Sequence, residues 1–291
     1  MRNILVISLL ATLFASSQSN TEVYLFDINN KNNTPGLSNQ RNISNNEGYD
    51  NQPSFYNDDI VLFSSTRDSE TDIAAYNIRD KKTNWITDTP DGSEYSPIKI
   101  PNQKRVSAIR LDNDGKQRLY TYDYKTGKST VLLESLKVGY HTWFNKYIIV
   151  SSVLEDEAMS LVISNIKDNT SYTFQKKVGR SLHRIPNSKL ISYISKENDT
   201  WEIKSLDPIS GATKKIINTI PEAEDMCWLI NGTILMGKGN TIYKFNPSKD
   251  IDWSVFYTFD NPEMQQITRL ASNSNSSKLA VVSERSSEGN H

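Results

Sequence analysis

The residues of this chain best suited to chemistry are His141, His183 and Cys227. Each stands seven places before an aliphatic residue that opens a strand-like run, namely Ile148, Leu190 and Ile234. Asn57, Asn145, Asn187 and Asn231 stand three places before Ile60 and those same residues, so the register is a property of the chain. Two imidazoles and one thiol at a shared repeat position are donors that suit a borderline metal such as zinc, provided they converge. Spacing opposes convergence: equivalent positions on neighbouring inner strands of a ring stand roughly 8–10 Å apart, whereas zinc ligands lie within about 2.3 Å of the metal. No metal centre and no cofactor is therefore expected. The three side chains should pack between sheets or line a wet channel.

Other chemical motifs dissolve on inspection. Thr126 to Thr130, TGKST, ends like a phosphate loop, but the glycine required five places before Gly127 is Tyr122, inside a strand, and no helix follows. Asp112 to Gly115, DNDG, lacks the remaining ligands of a twelve-residue calcium loop. Both read as hairpin turns. There is no G-x-S-x-G, H-E-x-x-H or C-x-x-C, and the 3 histidines include the terminal His291. With 34 acidic residues some carboxylate pair always exists, so such a pair carries no information. No catalytic residue is singled out.

The elements that position these residues repeat along the chain. Short apolar runs begin at Ile60, Val106, Ile148, Leu190, Ile234 and Leu279, at spacings of 46, 42, 42, 44 and 45. That period matches the roughly 40–45 residues of a four-stranded propeller blade. A second series of strand-like runs closes on Asn77, Asp123, Asn165, Asp207, Asn246 and, displaced to the other end of the chain, Asp27. Asn and Asp open tight turns by bonding their own backbone two residues on. The displaced member means that Glu22 to Asp27 completes the blade begun by Lys278 to Ser283. The expected fold is therefore all-β: a six-bladed β-propeller over residues 20–291, one domain, closed by pairing N-terminal strands with the C-terminal blade. Helical periodicity is nearly absent, and Pro221 to Trp228 reads as loop and inner strand.

Residues 1–19 read as a secretory signal peptide, with Arg2, an apolar run of 11 residues from Ile4 to Phe14, and small polar residues after it. The run is too short to span a bilayer, for which about 20 residues are needed, so no stable membrane insertion is expected. Export places the mature chain in the periplasm or outside the cell, where Cys227 alone forms no internal disulfide. The 33 basic and 34 acidic side chains leave a net charge of -1, which excludes nucleic-acid binding driven by bulk charge.

Asn51 to Ile78, NQPSFYNDDIVLFSSTRDSETDIAAYNI, and Ile86 to Pro97, ITDTPDGSEYSP, resemble the repeat of TolB-type six-bladed propellers. Pro53, Asn57, Asp58, Ser65, Arg67, Asp68, Asp72 and Ile73 occupy the places of that motif, and Pro97 begins it again. The likeness is to the propeller portion alone, is strong over residues 50–135 and weaker beyond. It implies a binding scaffold in the cell envelope that holds other proteins; the chain is expected to be a monomer whose partner is another protein or a peptide. Loops joining one blade's last strand to the next blade's first share a face, and there Tyr95, Tyr140, Arg180, Glu224, Asp225 and Gln266 gather, with Trp228 and Arg269 just inside. Aromatic and arginine side chains are common interface anchors. Binding residues are thus expected among Tyr95, Tyr140, His141, Arg180, His183, Asp225, Trp228 and Arg269. The alternative is an enzyme or sensor acting on a carbohydrate or other small molecule at the channel mouth.

Overall fold

A computed structural model describes residues 20–31, 34–155 and 158–284. The proposed signal, residues 1–19, lies outside the described residues. The chain opens with β1 (Thr21–Lys31) and β2 (Thr34–Asn42). Then come β3 (Asp50–Asn57), β4 (Ile60–Arg67), β5 (Glu70–Asn77) and β6 (Lys82–Trp85), followed by β7 (Gly92–Lys99), β8 (Arg105–Asp112), β9 (Gln117–Asp123) and β10 (Ser129–Leu133). The next runs are β11 (Val138–Trp143), β12 (Ile148–Leu154), β13 (Met159–Asn165) and β14 (Thr170–Val178), and β15 (His183–Arg184), β16 (Ile191–Ser195), β17 (Glu202–Leu206) and β18 (Thr213–Asn218). The last are β19 (Met226–Trp228), β20 (Ile234–Lys238), β21 (Thr241–Phe245), β22 (Ser254–Thr258), β23 (Ile267–Ser272) and β24 (Lys278–Glu284). One turn of 3-10 helix, Pro262–Met264, is the only helix among the described residues, and none there is long and apolar enough to cross a membrane.

These strands form antiparallel sheets in chain order, β3 to β6, β7 to β10 and β19 to β22. The strands β11 to β18 form one larger sheet, in which β11–β14 and β15–β18 are joined by a single pair, Val178 with Ser195. The remaining sheet has the order β2-β1-β24-β23, so the first and last described strands share it. Tyr24 pairs with Val281 and Asp27 with Lys278, as the displaced repeat requires. The sequence left β2 unassigned; it is the outer strand of this shared sheet, in a register broken by a bulge between Leu25 and Asp27.

The second strands carry apolar residues on both faces because successive side chains face different neighbours. Val61 and Phe63 of β4 pack with Val23, Leu25, Ala280 and Val282, while Leu62 between them packs with Val106, Ala108, Tyr120 and Tyr122. The same division recurs at Ile149 against Ile148 and Val150, at Ile194 against Ile191 and Tyr193, and at Leu235 against Ile234 and Met236. The cluster containing Leu235 and Ile242 also contains Tyr24, Phe26, Leu279 and Val281, which packs the β19–β22 sheet onto the sheet of β1 and β24. Polar outer strands such as β6, exposed throughout, end each run.

The turn chemistry is local and repeated. The side-chain oxygens of Asn77, Asp123, Asn165, Asp207 and Asn246 each accept the backbone N–H two residues on, from Arg79 (2.9 Å), Lys125 (3.1 Å), Lys167 (3.0 Å), Ile209 (2.9 Å) and Ser248 (3.0 Å). Asp27, the displaced member, differs: it accepts from Lys278 at 2.7 Å and Arg41 at 2.9 Å, tying β1 to β24 and β2. TGKST is a turn capped by Asp123, with Gly127 at φ +69, and Gly115 of DNDG sits at φ +78.

Candidate site at the mouth of the cavity

Residues of β3, β7, β11, β19 and β23, together with the segment 180–189 that contains β15, line one cavity of about 1010 Å³. Bonds between these walls join residues one repeat apart. Ser181 Oγ donates to the Met226 carbonyl at 3.4 Å, Ser272 Oγ to the Trp228 carbonyl at 2.6 Å, and the Ser96 amide to Gln52 Oε1 at 2.8 Å. Four of the wall strands are bulged, between Asn51 and Ser54, Tyr95 and Ile98, Val138 and Tyr140, and Ile267 and Arg269. Bulges turn a strand and re-aim its side chains. Gln52 and Ser96, each followed by proline, adopt φ +55 and +52, a left-handed conformation that costs of order 1–3 kcal/mol for such residues and persists where surroundings fix it.

At one end of the cavity stands a cluster of tyrosine, arginine and carboxylate. Asp225, largely buried, receives two guanidiniums: Arg180 Nε and Nη2, the former at 3.1 Å to Oδ1, and Arg269 Nη1 at 3.0 Å to Oδ1. Glu224 accepts the backbone N–H of Arg180 at 2.7 Å and pairs with Lys196 Nζ at 3.0 Å. Gly179 permits that approach, since a Cβ there would stand 2.7 Å from Glu224 Oε1. Burial works against the charge of Arg180, but Asp225, by field and hydrogen bond, and then Glu224 hold its guanidinium above its ordinary value. Tyr140 lies under Arg269, with the guanidinium carbon 5.9 Å from the ring centroid. The Tyr49 and Tyr95 rings meet edge to face at 5.9 Å, and burial pushes the Tyr49 hydroxyl up, against the fields of Arg269 and Arg180.

The cluster therefore holds Tyr95, Tyr140, Arg180, Asp225 and Arg269 together, and adds Tyr49 and Lys196, which the sequence reading passed over. Tyr49 had a signal: Tyr49, Tyr95 and Tyr140 follow one another at 46 and 45 residues, the repeat period itself. Lys196 had none, because it reaches Glu224 from an end of β16 that no motif marks.

His141, His183, Cys227 and Trp228 also line the cavity, but as packed wall residues. His141 is 3% exposed; its Nε2 lies 2.7 Å from Ser107 Oγ, and its Nδ1 is buried without a partner among the described residues. His183 Nε2 lies 3.0 Å from Ser181 Oγ. Burial pushes these imidazoles down to about 3 and about 4, so both are neutral at ordinary pH. Cys227 packs with Leu235, Leu270 and Leu279, and burial pushes its thiol up to about 12. No group of three or more histidine, cysteine or acidic side chains among the described residues is placed to hold a metal. Trp228, buried, donates to Ser192 Oγ at 2.8 Å. These four belong to the wall rather than to the accessible mouth.

No family model and no curated protein sequence matches this chain. Solved structures do. One assigned as TolB from Agrobacterium tumefaciens superposes with a TM-score of 0.71 at 10% identity, covering 92% of this chain and 99% of that one. TolB from Acinetobacter baumannii gives 0.57 at 10% identity, over 92% of this chain and 65% of that one. A chain of the nidogen/laminin complex gives 0.65 at 10% identity, over 86% and 97%. At such identities the likeness is one of fold, and the fold of this chain is a TolB-like β-propeller.

Proposed function

We propose that this chain is an exported, monomeric propeller of six four-stranded blades over residues 20–291, closed by the β1–β24 pairing, that binds another protein or a peptide of the cell envelope at the mouth of its central channel. The observation that carries the reading is the cluster at that mouth, where partly buried Tyr49, Tyr95 and Tyr140 stand with Arg180 and Arg269, and where Tyr140 and both arginines line a cavity of about 1010 Å³. Tyrosine and arginine dominate the energetics of many protein interfaces. Fold neighbours support the same direction: two are TolB proteins, and a third is solved in a complex between nidogen and laminin. The signal-like residues 1–19 supply the route out of the cytoplasm.

The test is affinity capture from an envelope extract of the producing cells, comparing the mature protein with a Tyr140→Ala/Arg269→Ala double variant of matched thermal stability. Loss of two interface anchors is expected to reduce recovery of the partner at least about tenfold. Metal analysis of the same sample adds a second readout. Equal recovery by both proteins overturns the mouth as the binding face, and stoichiometric metal with no partner overturns the scaffold.

A further inference from the structure

Resting on that reading, we infer that the mouth selects its partner through a carboxylate: the occupant is a peptide segment whose Asp or Glu side chain is received by Arg180 and Arg269. The charge count comes first. Among the described residues, Arg180, Arg269 and Lys196 pair with two carboxylates, Asp225 and Glu224, and Lys196 is drawn to Glu224. One carboxylate is thus shared by two guanidiniums, and the cluster keeps an excess positive charge in a largely covered place, where a solvated counter-ion screens it poorly.

Donor geometry points the same way. Asp225 engages Nε and Nη2 of Arg180 and Nη1 of Arg269, and the last also donates to the Thr268 carbonyl at 2.7 Å. Among the described residues no acceptor meets Nη1 of Arg180 or Nη2 of Arg269. The side chains of Arg180 and Arg269 keep 30% and 15% of their surface exposed. A second carboxylate accepting from these two groups would complete an alternating arrangement of two guanidiniums and two carboxylates. Planar guanidinium is the side chain best matched to a carboxylate.

The aromatic neighbours argue for a peptide over a simple anion. An inorganic ion needs donors alone, whereas Tyr49, Tyr95 and Tyr140 offer ring surface beside the charge, against which residues flanking an Asp or Glu can pack. The cavity is large enough for such a segment, being at the upper end of the roughly 300–1,000 Å³ of ordinary ligand pockets.

The experiment uses two pools of capped pentapeptides, Ac-X-X-Asp-X-X-NH2 and Ac-X-X-Asn-X-X-NH2, passed over the immobilised mature protein and quantified by mass spectrometry. The expected result is enrichment of the Asp pool over the Asn pool by about tenfold or more, decreasing as salt is raised. Arg180→Gln and Arg269→Gln should each abolish the preference. Asp225→Asn, which removes the competing carboxylate, should increase Asp-pool recovery about tenfold, a gain that misfolding does not imitate. Equal recovery of the two pools, or no gain in Asp225→Asn, overturns the inference; if envelope capture still depends on Tyr140 and Arg269, the scaffold reading stands without it. Displacement of the Asp pool by glucuronate at concentrations where acetate has no effect would make the occupant a sugar acid and overturn the peptide assignment.

Discussion

Trp143→Ala and Trp228→Ala are each expected to lower the free energy of unfolding by about 3–5 kcal/mol, the ordinary cost of deleting a buried tryptophan. The two residues perform one task in two places. Trp143 of β11 is 2% exposed among Ile109, Leu119, Val138 and Ile149, and its Nε1 donates to Ser107 Oγ on β8 at 2.9 Å. Trp228 of β19 lies among Ile194, Ile203, Met226 and Phe245, and its Nε1 donates to Ser192 Oγ on β16 at 2.8 Å. In both cases the tryptophan follows its serine by 36 residues, so an inner strand is locked to the second strand of the preceding sheet. Phe at either position keeps much of the ring but leaves the serine without its donor, a loss of about 1–2 kcal/mol. Urea unfolding of the four variants checks this order. Alanine variants within 1 kcal/mol of the wild type would show that these side chains do not join the sheets.

The second large effect concerns pH. Glu94 of β7 is fully buried; Tyr122 Oη donates to its Oε1 at 3.0 Å, while Oε2 is buried without a partner among the described residues. Burial, aided by the Asp72 carboxylate, pushes the Glu94 carboxyl up from 4.5 to about 7, although hydrogen bonds from Thr89 and Tyr122 and the field of Arg110 pull the other way. Below 4.5 the proton is bound in both folded and unfolded chains. As pH rises from there to about 7, the unfolded chain releases it first, so the folded state loses stability, by about 3 kcal/mol in all. Glu94→Gln removes this slope. The depressed imidazoles of His141 and His183 act oppositely, removing stability as pH falls below the unfolded value of 6.5, but they are common to both proteins and cancel in the difference. Unfolding at pH 4.5, 6 and 8 should therefore show the variant gaining about 3 kcal/mol on the wild type between the extremes. A difference constant across that range would contradict a buried, protonated Glu94.

What the sequence made legible was whatever depends on local chemistry and period. Strands such as Ile60–Arg67 and Ile148–Leu154 open on consecutive apolar residues, Ile60 to Phe63 and Ile148 to Val150, because neighbours cover both faces, and that pattern is visible as a short uninterrupted run. Asn77, Asp123, Asn165, Asp207 and Asn246 announce their turns because each bonds within its own turn. The pairing of the chain ends followed from a repeat whose third strand was missing at one end and present at the other.

Less legible were features set by packing between distant segments. Gln52 and Ser96 take left-handed angles without being Gly or Asn, so neither residue type marks the bulge beside it. His141, His183 and Cys227 share a repeat position but not a role, because Ser107 of β8 meets the first, Ser181 two residues away along the chain meets the second, and an apolar cluster surrounds the third. The salt-bridge network of Arg180, Lys196, Glu224, Asp225 and Arg269 depends on which rotamers meet across two walls, and spacing does not encode that. All of its constituents but Lys196 could be gathered at one mouth from the repeat; their partners could not.

The β1–β24 pairing, on which the proposed closure of the propeller depends, has a direct reporter in the unmodified protein. Lys278 Nζ lies 2.7 Å from Asp27 Oδ1, and the two side chains are 24% and 22% exposed, within reach of a zero-length carbodiimide reagent. Mass spectrometry of the treated, digested protein should recover an amide cross-link between peptides containing Asp27 and Lys278, formed in buffer and lost in urea. Lys278 cross-linked solely to carboxylates near it in sequence, with no product involving Asp27, would contradict the β1–β24 pairing and the closure proposed from it.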